Sequence, residues 1–223
     1  MGVILEIDVW SDVVCPWCYL GKRRLEAALR ERPQIEAALR WRPFELNPDM
    51  PAAGADRADY LARKFGARGG LQEIHDRLVA LGREVGIEYR FDAIRRVPNT
   101  RAAHALVALA GERQGVVVEG LFRAYFEHGR DVGDAGVLAE LGAEAGLAVD
   151  RLSAELAAPG RLAAIAAEER DAARLGIGGV PFFVLAGRWA VSGAQDCATL
   201  VNALDQVADA MAHEPHESAR PGA

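Results

Sequence analysis

Two cysteines two residues apart, Cys15-Pro16-Trp17-Cys18, are the most reactive side chains in this sequence. A pair at that spacing serves as half of a zinc site, as a small-loop disulfide, or as a dithiol that exchanges with other disulfides. Zinc needs four ligands, but the only further cysteine is Cys197 and the closest histidine pair, His213 and His216, is separated by just two residues. A structural bridge between Cys15 and Cys18 closes too small a loop to stabilise much. Redox exchange remains. It assigns unequal roles: Cys15 as the exposed nucleophile at a helix N-terminus, where free N–H groups and the helix dipole favour a thiolate, and Cys18, one turn in, as the buried resolving thiol. Pro16 offers no N–H to the sulfur, and Trp17 adds apolar surface that can dock a partner.

Other residues are candidates for the same site. Val180-Pro181 follows a Gly176-Ile177-Gly178-Gly179 turn and opens a strand, where proline is permitted. If front and back halves share one sheet, this loop lies beside the cysteines with its backbone free to pair with substrate. Asn47, after the second strand, either holds a substrate carboxylate or amide or is a plain turn residue. His104, early in a helix after Asn99-Thr100, is either catalytic or structural, and Asn99 or Thr100 caps that helix. Asp12 caps or polarises the turn, or is a simple loop carboxylate. Cys197, opening the last helix, is a small capping residue or a sensor thiol.

The elements that must position these groups are legible in outline. Residues 3–10 alternate as a strand, 20–32 form an amphipathic helix stopped by Pro33, and 39–46 read as a second strand. That β-α-β unit favours a parallel pair. Residues 49–58 are a loop, and nearly everything from there to Leu175 is helical apart from a short extended piece over 87–93. Expected helices include 71–85, 101–113, 117–127, 134–145, 150–156 and 162–175. Residues 179–191 form a hairpin, and 198–212 a last helix. The fold class is therefore α/β, with β-α-β in front, β-β-α behind and a large all-helical insertion.

With 223 residues, 51% hydrophobic content and a formal net charge of −6, the composition is that of a globular domain. Basic residues occur only in short groups, which argues against nucleic acid, and Lys22-Arg23-Arg24 read as the wet face of the first helix. Charges interrupt every apolar run, so no membrane span is expected, and residues 1–8 lack a secretory signal pattern, which points to the cytoplasm.

The sequence resembles the DsbA-like thioredoxin-fold oxidoreductases, in the FrnE-like branch close to 2-hydroxychromene-2-carboxylate isomerases and kappa-class glutathione transferases. The resemblance runs over roughly residues 3–210. It rests on Ser11 to Gly21, Pro43 to Pro48, Pro98 to His104, Gly178 to Val184 and Ser192 to Gln195. It implies a thioredoxin-like domain of residues 1–50 and 176–212, a helical insertion over 51–175 and a disordered tail over 213–223. It also implies a cis bond at Val180-Pro181 and a thiol–disulfide oxidoreductase or isomerase. Cys15 and Cys18 are then catalytic, with Pro16, Trp17, Val180, Pro181, Asn47 and His104 around the substrate.

No metal or obligatory cofactor is implied. The partners are a disulfide-bearing protein or a small thiol or disulfide, and a homodimer is compatible. In the isomerase and transferase branches a serine replaces the first cysteine and bound glutathione assists. Cys15 stands here instead, and Ala194-Gln195-Asp196 replace the usual glutathione clamp. A glutathione-dependent isomerase or transferase is accordingly the alternative, with glutathione as redox partner or co-substrate. A non-enzymatic binding protein is the third reading.

Overall fold

The computed structural model describes residues 3–66, 70–148, 150 and 152–213. Strand β1 (Val3–Ser11) is followed by helix α1 (Pro16–Arg30) and strand β2 (Ile35–Pro43), which pairs parallel to β1 from Val3↔Ile35 to Ser11↔Pro43. Strand β2 starts and ends earlier than its alternation suggests. It is an edge strand with Glu36, Ala38 and Arg40 exposed, so its first residues lack a clear apolar rhythm. Its end is set by Phe44, whose N–H donates to the Ser11 carbonyl before the chain turns away.

The chain then leaves the sheet. Strand β3 (Ala55–Asp56) leads into helix α2 (Arg57–Phe65), capped by the Asp56 carboxylate, which accepts the Asp59 N–H. Helix α3 (Leu71–Glu84) follows, and then strand β4 (Arg96–Val97), which pairs antiparallel with β3. This small sheet was not anticipated, and the extended piece expected over 87–93 forms no strand. Helices α4 (Arg101–Leu109), α5 (Gln114–Phe122), α6 (Ala135–Glu144), α7 (Leu152–Ala157) and α8 (Pro159–Arg174) come next. Helix α5 runs into a π-helical turn, Arg123–Glu127, a departure that tends to mark functional positions. At the head of α4 it is Asn99 that caps, accepting the Arg101 N–H, while the Thr100 side chain makes no capping bond.

Strands β5 (Phe182–Leu185) and β6 (Trp189–Ser192) return to the sheet, and helix α9 (Cys197–His213) closes the fold. The hairpin turns through Ala186 and Gly187, both at positive φ. Strand β5 pairs antiparallel with β1, giving the order β2-β1-β5-β6. This is a thioredoxin fold carrying a helical insertion. Residue 213 ends α9, and the rest of the expected disordered tail lies outside the described residues.

Leu5, Ile7 and Val9 of β1 point into the main core, while Trp10 points the other way, into a cluster with Ala172 of α8 and Ile177. One face of the strand is therefore buried throughout, while the other is exposed at Ile4 and Glu6 and covered only at its Trp10 end. A second apolar mass ties sheet to insertion: Tyr19 of α1 stacks on Phe122 at 5.0 Å and meets Tyr89 edge-on at 6.0 Å. Lys22 and Arg23 do not form a wet face. Lys22 is only 5% exposed; its Nζ lies 2.5 Å from Glu26 Oε1 and 2.7 Å from Glu119 Oε2 of α5. Arg23 also pairs with Glu119, so α1 is clamped to the insertion by charge.

Candidate functional site

The end of β1 delivers Cys15 as the N-cap of α1, with extended backbone (φ −91°, ψ 111°) and Pro16 at the first helical position. Proline suits that place because its missing N–H has no intrahelical partner there. The loop is held by Asp12, buried beneath it. The Asp12 carbonyl accepts the Cys15 N–H at 3.0 Å, and its Oδ2 accepts the Leu46 N–H at 2.7 Å. Asp12 is therefore a structural tie between the cysteine loop and the segment after β2, a stronger role than an ordinary loop carboxylate.

Both cysteines are thiols, and Cys197 is a third. Cys15 is 3% exposed, which corrects the expectation of an exposed nucleophile. The insertion is the reason. Tyr89 donates its hydroxyl to the Pro16 carbonyl at 2.5 Å, and Arg77 of α3 lies 5.8 Å above the Trp17 ring, so α1's first turn is roofed. Cys18 is buried as expected. Burial, followed by the neighbouring Cys15, pushes its thiol well above the ordinary range. Such a group stays protonated.

Across from the dithiol, the Cys15 sulfur lies 3.7 Å from the Val180 carbonyl oxygen, in reach of a thiol hydrogen bond. The Val180–Pro181 peptide bond is cis. Pro181 itself is buried behind Val180, close against Gly21 of α1.

Cys15 opens into a cleft of about 340 Å³ between the dithiol and the insertion. Pro16, Trp17, Asn47 and Val180 also line it, so five of the expected site residues converge there. Asn47 Oδ1 accepts the Tyr60 hydroxyl at 2.6 Å. Tyr125 and Phe126 reach the cleft from the π-helical turn. Sequence reasoning missed Arg57, Tyr60 and His75, which line it from α2 and α3. The acidic cap at Asp56 signals where α2 starts, but nothing local says which face meets Cys15.

His104 does not join this group. It lies behind the dithiol in a separate chamber of about 170 Å³ that Ser11 and Trp41 also line. Its position on α4, against the sheet rather than under the roof, explains the difference. The Ser11 hydroxyl, Trp41 Nε1 and His104 Nε2 are all buried there without a hydrogen-bond partner, and His104 Nε2 stands 3.5 Å from Asp12 Oδ1. Unpaired polar atoms converging on one space suit ordered water. Cys197 is half-buried and its sulfur lies 3.4 Å from Glu31 Oε1. Burial and then that carboxylate raise its thiol, which disfavours a sensor role. Among the described residues no cluster of His, Cys, Asp and Glu could hold a metal ion.

The Cys15 and Cys18 thiols sit at the head of α1 in a thioredoxin fold, and comparison with known proteins gives the family. Residues 6–205 match the DSBA-like thioredoxin domain, and the chain belongs to that family. It is similar to the probable DsbA oxidoreductase SCO1869 from Streptomyces coelicolor, at 33% identity and a TM-score of 0.83, with 98% of this chain and 94% of that one covered. It is 28% identical over 145 residues to the uncharacterized protein YwbO of Bacillus subtilis, covering 64% of this chain and 67% of that protein. The cytosolic disulfide reductase DsbM from Pseudomonas aeruginosa, solved with GSH, shares the fold at 21% identity and a TM-score of 0.60, over 91% of this chain and 98% of that one. No helix among the described residues is long and apolar enough to cross a membrane.

Proposed function

We propose that this protein is a cytoplasmic thiol–disulfide oxidoreductase in which Cys15 attacks and Cys18 resolves. Residues 1–50 and 176–212 carry the dithiol, and residues 51–175 form the roof that selects what reaches it. The observation that carries the reading is the juxtaposition of Cys15 with the Val180 carbonyl at the floor of one cleft.

The Cys15 thiolate bonds to one sulfur of a substrate disulfide, the substrate S–S bond breaks, and the other half leaves as a thiolate. Cys18 then attacks the Cys15 sulfur, forming the Cys15–Cys18 disulfide and releasing the second thiolate. Two electrons pass from the dithiol to the substrate, and an external thiol restores the dithiol. Cys18 must lose its proton for the second step. Burial is the first thing that holds that proton, and bonding Cys15 into a mixed disulfide removes the second, the neighbouring negative charge. Ser11, beside Cys18 and facing the polar chamber of His104, offers it a way out. His104 is thus a positioning or proton-carrying residue in this reading, not a substrate contact.

Glutathione as co-substrate is the second reading, favoured by the cationic residues Arg57 and Lys64 on the cleft wall and by the fold shared with DsbM. The clamp region speaks against it: Arg24 Nη1 is spent on the Ala194 carbonyl at 2.7 Å, and Asp196 Oδ1 on the Thr199 N–H at 2.7 Å. The separating experiment is reduction of insulin by wild type and Cys15→Ala, with glutathione binding measured alongside. Activity in wild type that Cys15→Ala abolishes supports the first reading. Tight glutathione binding with no disulfide reduction supports the second.

A further inference from the structure

Arg57 differs from Arg23, Arg42 and Arg101, which are likewise partly buried. Arg23 holds Glu119, Arg42 holds Asp8 and Glu168, and Arg101 holds Glu45. Arg57, half-buried at the first turn of α2, has no carboxylate partner among the described residues. Its Nη2 instead lies 3.5 Å from His75 Nε2, and the His75 ring stacks on Phe91 at 4.2 Å, which fixes the pair in the cleft wall. Burial and then the Arg57 charge lower the His75 pKa, so at neutral pH the imidazole is uncharged and can brace the guanidinium without repelling it.

The surroundings specify what Arg57 awaits. Among the described residues no Asp or Glu lines the cleft, although the chain as a whole carries a net charge of −6. Lys64, at the exposed rim, adds a second cation with no acidic partner among the described residues. The rest of the lining is largely apolar, with Leu61, Ile74, Leu78, Phe91 and Phe126 on the insertion side. A cleft of about 340 Å³ is of the size that holds a small ligand, and Cys15, at 3% exposure, is met only at its floor. A half-desolvated guanidinium without an anion is costly, and a ligand carboxylate is the group that matches its fork.

We propose, building on the redox reading above, that the substrate is a small, largely apolar disulfide bearing a carboxylate, which Arg57 receives while Cys15 attacks the sulfur. The exchange is the one already written: the dithiol is oxidised to the Cys15–Cys18 disulfide and the substrate is released as two thiols. Arg57 sets orientation and selectivity, and no electrons or protons pass through it.

The test uses single-turnover oxidation of the fully reduced protein by 4,4′-dithiodibenzoate and by its diamide, which has the same rings and sulfur but no charge. Dividing the ratio of the two rate constants in the variant by that in wild type cancels the intrinsic reactivity of the two disulfides. In Arg57→Met the carboxylate-to-amide ratio of second-order rate constants falls about tenfold or more, the change lying in the concentration for half-saturation, and Arg57→Lys recovers part of it. A ratio that stays within about twofold of wild type overturns the proposal, as does a wild type that favours the amide more than a free model thiol does.

Should Arg57→Met fail to fold, wild type alone decides. Raising salt from about 0.05 M to about 0.5 M slows the carboxylate and spares the amide, whereas an equal response of both overturns the assignment. Wild type that reduces insulin but neither small disulfide overturns this proposal and leaves the redox reading standing. Wild type that reduces none of the three brings both down.

Discussion

The Cys15 sulfur and the Val180 carbonyl oxygen stand 3.7 Å apart although 165 positions separate them in the chain. The pairing of β1 with β5 makes this contact, since Trp10 opposite Phe182 places the ends of both strands side by side. In the proposed reaction a disulfide reaching Cys15 therefore meets the carbonyl of the loop that leads into β5.

That approach depends on Gly21. A Cβ there would sit 2.9 Å from Pro181 Cγ and 3.3 Å from Phe183 Cζ, against rings with no room to retreat. Alanine gains about 1 kcal/mol of helix propensity, but overpacking of this kind costs about 1–3 kcal/mol. Gly21→Ala is expected to lower the urea midpoint and to lose disulfide-reducing activity beyond what the stability change explains, because the Val180–Pro181 loop is displaced. Unchanged activity in a folded variant would count against a role for that loop.

The clamp between α1 and α5 makes an asymmetric prediction. Glu119 receives Lys22, Arg23 and the Tyr19 hydroxyl, the last at 3.2 Å. Glu119→Gln leaves the Lys22 ammonium buried with only Glu26, whereas Lys22→Met removes the buried charge and leaves Glu119 with Arg23. The first is expected to cost about 2–3 kcal/mol and the second about 1 kcal/mol, since breaking a buried pair hurts most when a charge is stranded. Denaturant unfolding of both single variants and the double variant measures the coupling.

Asp8 supplies the pH dependence. Burial pushes its carboxyl up, but hydrogen bonds from Arg40 and Arg42 outweigh this and hold it below the usual carboxylate value. A depressed native pKa means stability present above the unfolded value, about 3.9, and lost as pH falls through the native one. Asp8→Asn is expected to be less stable than wild type at neutral pH by under about 1 kcal/mol, because its partner Arg40 is exposed and solvent screens the pair. The gap closes as pH falls through the depressed native value. A gap of constant size down the acid limb would contradict the assignment.

The dithiol was legible because strand, turn and helix follow one another without interruption around Cys15. Val180–Pro181 was legible because a glycine-rich turn announces the returning strand. The exposure of Cys15 was misjudged because its cover, Tyr89 above all, comes from far along the chain. Lys22 and Arg23 looked solvated for the same reason: Glu119 lies 97 and 96 positions away. The edge strand β2 hid its first half in mixed polar sequence. Arg57 and His75, 18 positions apart on two helices, gave no local pattern at all, and only packing brings them together beside Cys15.

The most direct test of the central claim is trapping. Cys18→Ala leaves Cys15 able to attack but unable to be resolved, so mixing the reduced variant with a disulfide substrate and mapping the adduct by mass spectrometry reads the first step alone. A single mixed disulfide on Cys15, absent from Cys15→Ala and released by added thiol, is the predicted result. An adduct on Cys197, or none on Cys15 in the folded variant, would contradict the account.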